Sequence, residues 1–138
     1  MSLNQAEIDY LNSQRLGRLA TARPDGSLQN NPVGFTYNAA AGTIDIGGFR
    51  MADSRKYRNV AANGRAAFVV DDIVSVSPWR VRCVEIRGTA EAVPAAAAQG
   101  PAGDGAIIRL HPRRIISFGL DQPDTEPHEL TPDSRDVS

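Results

Sequence analysis

The sequence is poor in the residues that form disulfides and metal sites. It has one cysteine, Cys83, and two histidines, His111 and His128. A lone cysteine cannot close an internal disulfide, and these three residues lack the spacing of a zinc-ligand set, so we predict no metal site. Cys83 lies in an alternating strand pattern, which favours a small packed side chain over the alternative of a reactive thiol.

Fields of one charge and long apolar runs are missing as well. The net charge of -1 argues against nucleic acid as a main partner, and no run is apolar enough to cross a membrane. The first residues, Met1–Gln5, have neither the basic nor the apolar region of a signal peptide. We therefore expect a cytoplasmic protein without membrane insertion, and its 138 residues suit a single domain.

Lysine occurs once, at Lys56, in a chain that otherwise uses arginine for every positive charge. Ser54 can cap the start of a helix and the pair Asn63-Gly64 can end it, which predicts a helix over residues 54–63. Free backbone amides, Arg55 and Lys56 then gather at the positive end of the helix dipole, as a phosphate or carboxylate site requires. The alternative is a solvated basic turn.

Elsewhere the sequence predicts short antiparallel strands, and in the second of them Pro32 indicates an edge or a bulge. The stretch Ser2–Gln5 resembles a capping box and predicts a first helix. Gly88 predicts a bend, His111-Pro112 a break or a bulge in the ladder, and residues 65–70 a strand buried on both sides. The predicted strands are residues 16–22, 28–37, 43–49, 65–70, 80–93, 106–110 and 114–119.

These elements predict a mainly β (α+β) fold: a small antiparallel barrel of about six strands with two or three short helices packed outside. Residues 94–105 are expected to form a loop with a helical turn at 95–98. We assign residues 1–120 to one domain. Residues 121–138 are polar and predict a flexible tail that can be removed without loss of fold or of cofactor binding.

Three segments, Ser54–Val60, Asn63–Phe68 and Arg87–Glu91, together with the order of the strands, resemble the pyridoxamine 5′-phosphate oxidase-like split β-barrel family. The likeness runs from about Leu11 to Gly119 and is greatest to the short branch that uses the deazaflavin coenzyme F420. The resemblance implies a split β-barrel homodimer whose cofactor clefts lie at the subunit interface. A small barrel also leaves the long strand around Val84 and Ile86 short of partners, which favours a dimer.

The same resemblance assigns the cofactor-binding residues. The segment Ser54, Arg55 and Lys56 would grip the cofactor phosphate, and the strand Asn31, Pro32 and Val33 would lie along the tricyclic ring. Arg50 would touch the phosphate or the acidic tail of the cofactor. Trp79 matches a tryptophan near the cleft in some relatives, although a lone tryptophan before a strand is otherwise a core or interface anchor.

The implied activity is hydride transfer from reduced F420 to a small conjugated substrate, chemistry that resides in the cofactor. No catalytic residue is assigned, since Tyr57, Arg50 or a water could each donate a proton. An FMN-binding oxidoreductase of the same fold and a non-catalytic cofactor-binding dimer are the alternatives.

Overall fold

Eight antiparallel strands form one curved sheet in the computed structural model, which describes residues 3–98 and 104–137. The strand order is β2-β1-β5-β6-β7-β4-β3, with β8 paired to β7. The strands are β1 Leu16–Ala22, β2 Leu28–Gly34, β3 Thr36–Asn38, β4 Thr43–Gly47, β5 Arg65–Ser75, β6 Arg80–Val93, β7 Ile107–Phe118 and β8 Asp133–Asp136. The helices are α1 Gln5–Asn12, α2 Arg55–Asn63 and α3 Ala95–Ala98. The predicted mainly β fold is confirmed, and the structure has eight strands where the sequence predicts seven strand segments.

Local signals explain both longer helices. The capping box of α1 is formed by Asn4 and Glu7, whose side chains each accept the other's backbone N–H, so the predicted cap at Ser2–Gln5 was two residues early. Ser54 caps α2 as predicted. Gly64 ends α2 with φ 68°, in the left-handed region where glycine costs least.

The barrel core lies on one face of the sheet, so β5 is not buried on both sides as predicted. Phe68 and Val70 of β5 are buried, whereas the intervening Val69 is half-buried on the outer face. Val84 and Ile86 are fully buried in the core of the single chain, so they leave no apolar surface for a second subunit to cover. On the opposite face of β6, Cys83 is buried, Glu85 is half-buried and Arg87 is exposed, since successive side chains alternate.

Strand β7 is continuous across His111-Pro112, where the sequence predicts two strands. The register against β6 shifts between Arg87 and Gly88, which pair with Arg114 and Pro112 and leave Arg113 as the extra residue of a bulge. This bulge lies at the predicted bend. A Cβ at Gly88 would collide with the carbonyl oxygen of His111, so only glycine fits. Strand β3 is separate from β2 because the predicted strand 28–37 is interrupted at Phe35.

The segment after residue 120 has a structure that the sequence did not indicate. Residues of β8 pair with Arg114–Ser117 of β7, and Arg135 reaches the buried carboxylate of Glu7 at 2.6 Å and 3.1 Å. Ser117 also donates to this carboxylate, at 2.6 Å. The prediction of a flexible tail is therefore wrong for residues 133–136, because backbone pairing and one buried ion pair replace apolar contacts there. That the tail can be removed is a separate prediction, which only truncation tests.

Candidate active site

The start of α2 offers unsatisfied donors beside two positive side chains. The first amides of a helix have no acceptor within it, and here Ser54 accepts only that of Tyr57, at 3.2 Å. The Ser54 hydroxyl itself donates to the carbonyl of Met51 at 2.7 Å. Ser54 therefore shapes the helix start, and the backbone amides, Arg55 and Lys56 are left to bind an anion.

Two cations at the start of α2 form no ion pair among the described residues. Arg55 is exposed and Lys56 half-buried, and neither forms an ion pair within residues 3–98 and 104–137. Arg50, in the turn just before α2, lies 3.6 Å from Asp53 with both side chains mostly exposed. Such an exposed pair is weak, so Arg50 also remains available to a ligand. The positive end of α2 and the three nearby cations are the part of the candidate site that could hold a phosphate.

The strand predicted to lie along the cofactor ring is the edge strand β2, as Pro32 indicated. Its side chains alternate: Asn31 is half-buried, Val33 is buried in the core, and Pro32 is exposed on the opposite face. Of the three predicted residues, Asn31 alone places a polar group on the core-facing side. Val33 could meet a ligand only through its backbone.

A set of side-chain amides joins α2 to β2. Asn59 of α2 donates to Thr21 of β1 at 3.1 Å and to Gln29 of β2 at 3.3 Å. Gln29 donates in turn to Asn31 at 2.8 Å. Sequence reasoning assigned no role to Asn59 or Gln29. The available signals were a polar residue one helical turn after Lys56 and the two-residue spacing of Gln29 and Asn31 on one strand face.

Trp79 does not join this cluster within one chain. It lies in the turn between β5 and β6 and is 46% exposed. Strand β5 runs for eleven residues between the end of α2 and this turn, a path of about 35 Å along the strand. Among the described residues, Trp79 makes no side-chain hydrogen bond or ring contact with α2 or β2.

The remaining candidate groups are structural. Cys83 is buried, and burial, with Asp71 and Glu85 nearby, raises the pKa of its thiol to about 11, so the predicted packed role is confirmed. Asp104 accepts the amide of Ala52 at 2.9 Å, and this bond is the largest cause of its lowered pKa. Asp104 thus ties the start of the segment before β7 to the turn that precedes α2.

Comparison with known proteins identifies the family. The model of the pyridoxamine 5′-phosphate oxidase family matches residues 3–118. The chain belongs to the pyridoxamine 5′-phosphate oxidase family. Among the residues that the structure describes, no helix is long and apolar enough to cross a membrane.

Relatives of this family member include characterised reductases. A 5a,11a-dehydrotetracycline/5a,11a-dehydrooxytetracycline reductase of Streptomyces rimosus is 47% identical over 122 residues, which are 88% of this chain and 86% of that protein. A conserved hypothetical protein of Mycobacterium tuberculosis superposes with a TM-score of 0.68 at 26% identity, covering 89% of each chain. An F420 reductase superposes with a TM-score of 0.54 at 28% identity, covering 71% of this chain and 86% of that one.

Proposed function

We propose that this protein is an F420-dependent reductase that saturates a conjugated carbon–carbon double bond of a small organic substrate. The observation that carries the proposal is the start of α2, where Arg55 and Lys56 flank unsatisfied amides without an acidic partner among the described residues. The amides of Asn59 and Gln29 tie this anion site to the edge strand β2. The 47% identity to a dehydrotetracycline reductase supports the reaction class.

The donor set fits a cofactor with a phosphate at one end and a flat ring at the other. The amides of α2, Arg55 and Lys56 would hold the phosphate, Arg50 the acidic tail, and β2 around Asn31 the ring. Reduced F420, when bound, supplies a hydride for the electrophilic carbon of the substrate. The protein's own part is to hold the ring, exclude water and position the substrate, while a proton from solvent or a side chain completes the reduction.

The proposed substrate class rests only on the similarity to the Streptomyces rimosus reductase. The name of the Streptomyces rimosus enzyme describes a 5a,11a-dehydro bond in a tetracycline. We therefore propose a conjugated double bond in a polycyclic or similarly flat compound as the acceptor for this protein.

Binding and turnover of the purified protein test the proposal. We expect it to quench F420 fluorescence on titration, to bind FMN more weakly, and to oxidise reduced F420 when 5a,11a-dehydrotetracycline is added. Preferential FMN binding would instead support the FMN-dependent alternative. Tight F420 binding without turnover on any conjugated substrate would favour a cofactor-holding protein.

We further propose a homodimer. The end of β5 and the turn that follows it expose a group of apolar side chains, each about half exposed or more: Ile73, Val74, Val76 and Trp79. Exposed apolar groups of this kind mark interaction surfaces, and a second copy would cover them and bring Trp79 toward the partner's cleft. The expected interface buries more than about 2,000 Å² in total.

Light scattering at low protein concentration tests the dimer. We expect the wild type to have twice the chain mass, and Val76→Glu to shift it toward the monomer because a charge would be buried in the interface. A wild-type protein that stays monomeric would refute the dimer.

A further inference from the structure

Asn59 makes a buried contact between the two ends of the proposed cofactor site. It lies three residues after Lys56 and its side chain is 1% exposed. Its Nδ2 donates to Oγ1 of Thr21 at 3.1 Å and to Oε1 of Gln29 at 3.3 Å. Since buried amides are stable only with hydrogen-bond partners, this contact fixes α2 against both strands of the β1–β2 hairpin.

Gln29 extends the contact to the ring end of the site. Its Nε2 donates to Oδ1 of Asn31 at 2.8 Å. Asn59, Gln29 and Asn31 thus form an amide relay that runs from α2 to β2. Because the relay occupies Oδ1 of Asn31, the group that Asn31 retains for a ligand is the N–H donor of its Nδ2, which has no partner among the described residues.

The relay has a direction, which the three amides share. Oδ1 of Asn59 is buried and has no hydrogen-bond partner among the residues that the structure describes. If every amide of the relay were reversed, Thr21 and Gln29 would donate to this oxygen, but Nδ2 of Asn59 would lose both acceptors. Asn31 would then present its carbonyl oxygen, an acceptor, in place of a donor. The orientations of the three amides are therefore coupled, and the observed one leaves Asn31 with a donor to offer.

We propose that Asn59 is a positioning residue that acts through Gln29 to present Asn31 as a hydrogen-bond donor to the cofactor ring. The inference rests on the proposed function. The group recognised is a hydrogen-bond acceptor, such as a ring carbonyl of a deazaflavin or flavin. Phosphate binding at the start of α2 should not depend on the relay, and this separates the inference from a general role in folding.

Gln29→Met tests the relay, because it keeps the length of a half-exposed side chain and removes both amide bonds. Thr21→Val is the matched control, since it removes the other partner of Asn59 and leaves the relay intact. The ligands are intact F420, its phosphate-free deazaflavin fragment and inorganic phosphate. We expect Gln29→Met to weaken binding of F420 and of the fragment by roughly three- to ten-fold, the effect of one hydrogen bond, and to leave phosphate binding unchanged.

Asn59→Asp is the second variant. A carboxylate accepts but does not donate, so Gln29 must turn its Nε2 toward residue 59 and Asn31 must present its oxygen. Its fragment affinity should fall as in Gln29→Met, whereas Thr21→Val should stay within about two-fold of wild type for all three ligands.

Two results would overturn the inference. One is wild-type affinity of Gln29→Met for the fragment. The other is an equal loss in Thr21→Val, which would show that the contacts only hold α2 in place. Failure of the wild type to bind F420 or FMN at all would refute the proposed function instead, and the inference with it.

Discussion

The C-terminal strand and the start of α2 use positive charge in opposite ways. Arg135 donates to Glu7, a carboxylate with no exposed surface, whereas Arg55 and Lys56 have no acidic partner within the described residues. A buried charge is tolerated only with its partner, so loss of Arg135 would destabilise the fold. A cation at the surface without a partner adds little stability and is free to bind a ligand anion. The ion pair of Arg135 and Glu7 therefore holds the fold, whereas we propose that Arg55 and Lys56 hold a ligand.

Truncation after Gln122 should have the largest effect. It removes β8, opens the edge of β7 at Arg114–Ser117 and leaves Glu7 buried without Arg135. We expect a loss of about 5 kcal/mol or more in the free energy of unfolding, or aggregation, since breaking a buried pair alone costs about 3–5 kcal/mol. Urea denaturation measures it. A truncated protein as stable as the full chain would restore the interpretation of a dispensable tail.

Arg135→Ala should have the next largest effect, because it leaves β8 in the chain but removes the partner of Glu7. The arginine side chain is 28% exposed, so we expect about 2–3 kcal/mol, below the value for a fully buried pair. Arg113→Ala, at an exposed arginine of β7, is the control and should change stability by no more than about 0.5 kcal/mol. Adding Glu7→Gln to Arg135→Ala should recover part of the loss; no recovery would mean that Glu7 is not the group left unpaired.

Lys56→Ala should leave stability unchanged and weaken F420 binding. A charge-assisted bond to phosphate contributes roughly 1.5–3 kcal/mol, which corresponds to about ten- to a hundred-fold in affinity. The rate of hydride transfer at saturation should change little, because a phosphate contact holds ground and transition states alike. Fluorescence titration and single-turnover kinetics measure the two quantities, with Arg113→Ala again as the control. A fall in the rate at saturation would place Lys56 near the reacting atoms.

Lowering the pH should show the smallest difference between the C-terminal strand and the start of α2, measured as the stability of variants in each. Burial raises the pKa of Glu7, but the bonds from Arg135, Ser117 and the backbone of Asn4 outweigh it and hold the pKa below the usual 4.5. A lowered native pKa stabilises the fold above the unfolded pKa, and this contribution is lost as the pH falls below about 4.5. The slope of stability against pH below that value should be shallower in Glu7→Gln. Lys56→Ala should follow the wild-type profile, and equal slopes in all three proteins would contradict the assignment.

The features that the sequence predicted correctly are those set by residues close to one another along the chain. Ser54 and Gly64 fixed the ends of α2 because caps act over a single turn, and Pro32 marked an edge strand because it lacks an N–H. The strand β8 gave no signal, since Asp133–Asp136 has no apolar alternation and is held by backbone pairing and a residue 128 positions away. The link from Asn59 to Gln29, across 30 positions, was equally invisible.

The contrast between Arg135 and Lys56 has one most direct test. It measures the stability and the F420 affinity of both Lys56→Ala and Arg135→Ala. We predict that Lys56→Ala loses about ten-fold or more in affinity at wild-type stability. Arg135→Ala should lose stability but, while folded, bind F420 as the wild type does. A Lys56→Ala protein with unchanged F420 affinity would contradict the account, because the start of α2 would then be a solvated basic turn and no cofactor site.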